Sequence, residues 1–186
     1  MTILAIFRES VAEPERIVTD FPEIAQLLAD VGVRLERWKT DQPVEPATPD
    51  DVVMDAYRDS VERLKEQYNF QSVDIVSLRP DHPKKAELRH KFLEEHTHAD
   101  FEVRFFVDGQ GLFFLHPDRR VYAVLCDKGD LISVPADTPH WFDMGEYPSF
   151  RCIRLFTTPE GWVAEFTANA IARRFPSFDE FLARYA

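Results

Sequence analysis

The rhythm of hydrophobic and polar positions changes near residue 97, and the two parts of the chain read differently. In the first part, strand and helix patterns alternate. Thr2 to Phe7 is an apolar run of strand length. Asp20-Phe21-Pro22-Glu23 reads as a helix start, with Asp20 as cap and Glu23 at the third helical position. Ile24, Leu27 and Leu28 supply the apolar stripe of that helix, and Gly32 its stop. Val33, Leu35 and Arg37 alternate with Arg34, Glu36 and Trp38, as on a strand with one exposed face. Pro43, Pro46 and Pro49 stiffen a loop. Thr48 is then expected to cap a helix that has Pro49 at its first position. Val53, Tyr57, Val61, Leu64 and Tyr68 carry it on as one long amphipathic helix. A strand over 73–78 and a charged helix over 81–93, with Leu88 and Phe92 four apart, complete this part.

In the second part the runs are short and β-rich: 101–107, 111–116, 120–126, 131–134 and 150–156. Asp108-Gly109, Pro117-Asp118, Lys128-Gly129 and Glu146-Tyr147-Pro148 separate them as turns. Short strands joined by close turns predict an antiparallel barrel or sandwich. Ser177 to Glu180 forms a capping box for a final helix bearing Phe181, Leu182 and Tyr185.

Composition narrows the functional classes. The chain has 186 residues, of which 45% are hydrophobic, so it can bury a core without disulfides or a structural metal. Its 22 basic and 33 acidic side chains leave a net charge of −11, which repels phosphate backbones and anionic membranes. Nucleic acid is not an expected partner. Two cysteines do not make a disulfide framework, and Cys126 and Cys152 are expected as buried thiols. The apolar run Ile3–Phe7 is too short for a signal peptide and no stretch reaches transmembrane length, so a cytoplasmic protein without membrane contact is expected.

The chemistry concentrates in 94–104. On a strand, His96, His98, Glu102 and Arg104 share one face, and Thr97, Ala99, Phe101, Val103, Phe105 and Val107 form an apolar opposite face. Both faces are then buried, and the polar one points into a cavity. Two imidazoles and a carboxylate on one face suit a divalent transition metal. Downstream, Gly129 leads into a strand that Pro135 ends, and a loop containing Pro139 presents His140 as a fourth ligand. Trp141 and Phe142 follow as candidate walls of a pocket. His82, His90 and His116 are expected to be solvated.

His96-x-His98-x3-Glu102-x6-Gly109 and Gly129-x5-Pro135-x-Asp137-x2-His140 resemble the two motifs of the cupin superfamily. His90, Asp137 and Met144 stand where those motifs have Gly, Gly and Asn. Within the cupins, the stretches 91–98, 102–109 and 134–143 are similar to acireductone dioxygenases. The resemblance implies a mainly β fold: a cupin-type antiparallel β-barrel (jelly roll) with flanking helices and an α/β N-terminal part. A single domain over 1–186 is expected, with strands and helices of 1–93 packed on the barrel. A metal-binding core over 94–156 and a C-terminal segment over 157–186 complete it.

The resemblance also implies function. One Fe2+ or Ni2+ per chain would sit on His96, His98, Glu102 and His140, and Arg104 would help to generate a substrate dianion. Glu95 matches a residue associated with metal incorporation, and Phe101 one linked to local conformational change. The implied substrate is 1,2-dihydroxy-3-keto-5-methylthiopentene, with O2 as co-substrate, in methionine salvage. The iron form would give 4-methylthio-2-oxobutanoate and formate; the nickel form would give 3-methylthiopropanoate, formate and CO. Phe92, Trp141, Phe142 and Arg154 are expected at the substrate pocket, in a monomer. Two other readings are a different metal-dependent cupin enzyme and a non-catalytic cupin sensor of small molecules.

Overall fold

The computed structural model describes residues 1–40, 44–45, 47–158 and 163–186. Pro43 and Pro46 of the expected stiff loop lie outside these residues. The elements are β1 (Ile3–Arg8), β2 (Pro14–Val18), α1 (Phe21–Ala29), β3 (Arg34–Arg37), α2 (Asp50–Ala56), α3 (Arg58–Tyr68) and β4 (Ser72–Leu78). They continue with α4 (Lys85–Phe92), β5 (His96–Thr97), β6 (Glu102–Gly109), β7 (Gly111–Leu115), β8 (Arg120–Cys126), β9 (Asp130–Val134) and β10 (His140–Asp143). Last come β11 (Phe150–Phe156), β12 (Glu165–Phe166), a 3-10 turn (Ala170–Arg174) and α5 (Phe178–Tyr185).

Among the described residues the strands form two antiparallel sheets. One has the order β12-β5-β10-β7-β8-β1-β2 and the other β3-β9-β6-β11-β4. The fold is mainly β with flanking helices, as the pattern predicts. Strand alternation decides the layering. Tyr122, Val124 and Cys126 of β8 meet Phe106, Ile132 and Cys152 of the second sheet in the core between the sheets. Val121, Ala123 and Leu125 face the other way, onto Ile171, Phe175 and Phe181 of the C-terminal segment. On the second sheet, Val103, Phe105 and Val107 of β6 pack under Val53, Tyr57, Val61 and Leu64 of α2 and α3. The central strands therefore bury both faces. Each large side chain buried this way contributes about 1.5–3 kcal/mol.

Several local expectations need correction. The long helix bends at Tyr57, whose backbone (φ −107°, ψ 11°) leaves helical geometry while its ring packs edge-on against Phe105 at 5.1 Å. Thr48 does not cap α2. Its hydroxyl accepts from the Glu45 amide, and Pro49 takes the cap position without a side-chain bond. β2 and β12 carry no clear apolar alternation, and their pairing with β1 and β5 defines them. Asp20 and Ser177 do cap α1 and α5 as expected, the latter through a full capping box.

Gly109 ends β6 at φ +75°, and a Cβ built there would lie 1.9 Å from the Ser149 carbonyl oxygen. Gly32 has a similar φ of +81° but only Pro135 Cγ nearby, at 3.5 Å. Gly32→Ala is expected to lose only the left-handed backbone preference, about 1–2 kcal/mol. Gly109→Ala adds a collision with backbone and is expected to lose roughly 3 kcal/mol or more. Urea midpoints at constant m-value check this, and equal losses at the two sites would refute the close approach at Gly109.

Candidate metal centre

The four candidate ligands come from both sheets. β5 lies between β12 and β10, with His96 directly opposite His140 on one side and Phe166 on the other. Glu102 and Arg104 belong to β6 in the facing sheet, two residues apart and on the same face. The chain crosses between the sheets over residues 98–101, so the single continuous strand expected from alternation is not formed. Buried Asp100 fixes the crossing. It accepts from the Phe101 amide (2.7 Å), the Thr157 amide (2.8 Å) and the Thr157 hydroxyl (2.5 Å). The Asp137 amide closes the turn by donating to the His98 carbonyl at 2.9 Å. The crossing is also why Phe101 is 48% exposed and Ala99 exposed, where an unbroken strand would have buried both.

His140 opens β10 rather than sitting in a loop. The turn before it passes through Asp137 at φ +60°, a left-handed position that Asp tolerates better than most residues and at which the superfamily motif has Gly.

One ligand atom from each of His96, His98, Glu102 and His140 lies within 4.8 Å of the others. His98, Glu102 and His140 are buried; His96 is half-buried. Each imidazole donates its Nδ1–H to a backbone carbonyl: His96 to Glu94 (2.7 Å), His98 to Asp100 (2.6 Å) and His140 to Thr138 (2.8 Å). That orients the rings and turns Nε2 of each into the site, where a cation would replace any proton it carries. Glu102 Oε2 is 2.9 Å from Nε2 of His98 and 3.2 Å from Nε2 of His140.

The electrostatics suit a cation. Burial and the neighbouring His140 lower the His96 pKa to about 4, so its imidazole is neutral at physiological pH. Burial also opposes charge on His98, but the hydrogen bond to Glu102 and the carboxylate's charge outweigh it and raise that pKa. For Glu102, burial works to raise the pKa. The Arg104 charge and the bonds from His140 and His98 hold it well below the usual carboxylate range. A buried carboxylate flanked by three oriented imidazoles is a fitting donor set for one divalent ion.

Arg104 completes the centre. Its Nε lies 2.7 Å from Glu102 Oε1, the oxygen turned away from the histidines. Its guanidinium sits over the rings of Phe142 (4.7 Å), Phe113 (5.3 Å) and Phe92 (5.8 Å). Phe92 and Phe142 thus stand together beside Arg104. Trp141 does not. It lies on the opposite face of β10, stacked on Phe114 at 4.9 Å, because neighbouring strand residues point to opposite sides. Arg154 lies opposite Arg104 in register, but its guanidinium is taken by Asp74 through bonds of 2.8 and 2.6 Å.

Glu95 was named from the sequence, but its partners were not. Glu95 is buried and accepts from His116 (2.7 Å) and the Thr167 hydroxyl (2.7 Å), tying β5 to two distant segments. His116 is therefore not solvated. Phe113 and Asp100 also went unnoticed; only the inward phase of β7 could have flagged the first. Cys126 and Cys152 are buried thiols, and burial pushes both pKa values up.

The chain is 54% identical to the acireductone dioxygenase of Methylococcus capsulatus, over the full length of both chains. It is 53% identical to that of Aquifex aeolicus, over 97% of this chain and 98% of the relative. The solved structure of an acireductone dioxygenase from Bacillus anthracis, which carries a cadmium ion in its active centre, matches with a TM-score of 0.79 and 27% identity. That match covers 89% of this chain and 98% of the other. Residues 4–164 match the family described as ARD/ARD'. With its four candidate ligands inside that span and its full length shared with curated relatives, the chain belongs to the ARD/ARD' family.

Proposed function

We propose that the chain is a metal-dependent dioxygenase that cleaves 1,2-dihydroxy-3-keto-5-methylthiopentene with O2 in methionine salvage. The observation that carries this reading is the shared carboxylate: Glu102 turns one oxygen to the histidines and the other to Arg104. Family membership and the curated relatives' activity support the same reading. His96, His98, Glu102 and His140 would hold one Fe2+ or Ni2+, which when bound would supply Lewis acidity.

The chain's own residues account for the rest. A divalent ion, Glu102 and Arg104 together carry about +2, which a substrate dianion would cancel in a largely buried site. Arg104 supplies the part of that charge that no ligand exchange removes, and so favours the deprotonated enediol. Phe92, Phe113 and Phe142 shield the guanidinium from solvent, which strengthens its pull on the substrate's negative oxygens. The same rings offer an apolar surface for the methylthio tail. Glu95, beside His96 and braced by His116 and Thr167, is suited to hold β5 during metal incorporation. Phe101, exposed at the crossing between the sheets, is placed to pass on a shift of His98.

Arg104→Ala is expected to keep stoichiometric metal and lose about 100- to 1,000-fold in turnover, the usual effect of removing a preorganised charge. Anaerobic titration followed by ultraviolet absorbance checks the cause: the dianion fraction should fall. An unchanged dianion signal would remove Arg104 from this role.

The bound metal is expected to select the products, because imidazole and carboxylate suit iron and nickel alike. Stripped protein reloaded with Fe2+ should consume O2 and yield formate and the keto acid, and the Ni2+ portion should release CO. Equal CO yields would point to a single-outcome enzyme. No O2 uptake in either portion would overturn the proposed function itself.

A further inference from the structure

Helix α4 covers the aromatic ring set around Arg104, yet none of its residues is buried. Its contribution to the site is Phe92, which lies edge-on to Phe142 at 6.2 Å and 5.8 Å from the Arg104 guanidinium. Only Leu88 and Phe92 of α4 pack on the core between the sheets, both partly buried, and so small an apolar footprint is a weak anchor for a helix. The strong anchor is ionic. Arg89, one turn before Phe92, donates from Nε to Asp143 Oδ1 (2.8 Å) and from Nη2 to Oδ2 (3.0 Å), a two-point fork.

Asp143 is 0% exposed and lies on β10, three residues after His140. It also accepts from the Gly145 amide (3.0 Å) and from the Phe178 amide that opens α5 (2.8 Å). Glu146 and Asp179 stand farther from Arg89, at 3.9 and 4.0 Å. On its other flank Leu93, the C-cap of α4, packs against the apolar cluster that holds Trp141 and Phe175. Beside that contact a cavity of about 520 Å3 opens, lined by Arg89, His90, Glu94, Asp143 and Ala172.

We infer that the Arg89–Asp143 fork is a positioning device that holds α4, and through it Phe92, against the substrate's apolar tail. Arg89 and Asp143 then set tail specificity while touching neither metal nor reacting atoms. This rests on the reading of the ring set as the tail's binding surface. The pair couples α4 to the strand that carries His140, so the distance between the cover and the metal centre is set by one rigid fork. A Lys in place of Arg89 would keep the charge but lose the second point of attachment.

The test uses the full-length protein in two arms. In hydrogen exchange of the metal-free chain, Arg89→Met is expected to speed amides 85–92 by about tenfold or more and leave β6 unchanged, with Arg89→Lys intermediate. If Arg89→Met does not fold, Arg89→Met combined with Asp143→Asn, which leaves no unpaired buried charge, takes its place. In the kinetic arm, the Fe2+-loaded variant is given the methylthio substrate and the same enediol-ketone head bearing methyl instead of methylthioethyl. KM for the first is expected to rise about tenfold with kcat within about threefold, and KM for the second to stay constant. Unchanged exchange in 85–92 overturns the inference, as does an equal rise in KM for both substrates. If the wild-type protein consumes no O2 with either compound, the functional reading fails and the exchange arm alone decides the fork.

Discussion

The Glu102 carboxylate is 2% exposed, and a charge so far from water persists only where partners replace hydration. His98 and His140 stand at one of its oxygens and Arg104 at the other. The surrounding architecture keeps those partners in place. β6 holds Glu102 and Arg104 in phase, the crossing at Asp100 swings His98 over from the other sheet, and β10 brings His140 in from the far side. Each imidazole is oriented by a carbonyl of its own backbone neighbourhood, so no distant side chain is needed to aim the rings.

Such a centre is expensive unless the walls around it are rigid. Strands that bury both faces provide that rigidity: Val103, Phe105 and Val107 are clamped beneath α2 and α3 while their neighbours line the interior. Placing ligands on both sheets ties the centre to the packing of the whole core. The cover over the pocket is a different case. α4 is held by the Arg89–Asp143 fork and a few partly buried side chains, so its position depends on one ion pair rather than on the core.

Much of this was legible in the sequence. Period-two alternation correctly put Glu102 and Arg104 on one inner face, because both lie within β6. It misled across 96–104 because alternation assumes an unbroken strand, and the bonds that break it run from Asp100 to Thr157, 57 positions away. Trp141 illustrates the opposite error. Its adjacency to His140 suggested a shared pocket, whereas a strand sends adjacent side chains to opposite faces, and His140 was not recognised as a strand residue. Glu95 with His116, and Arg89 with Asp143, are pairings of distant residues that leave no local periodic signature. The four candidate ligands do lie together, because motif spacing survives even where the local geometry was misread.

The central claim is that Glu102 serves the metal and Arg104 together. Glu102→Gln preserves shape and one acceptor oxygen but removes the charge on which both depend. Calorimetric titration of Ni2+ into the stripped variant, beside the parent protein, measures this directly. The account expects affinity to fall by at least about a hundredfold, with the three histidines intact. Stoichiometric binding of undiminished affinity would contradict it and leave the imidazoles as sufficient ligands.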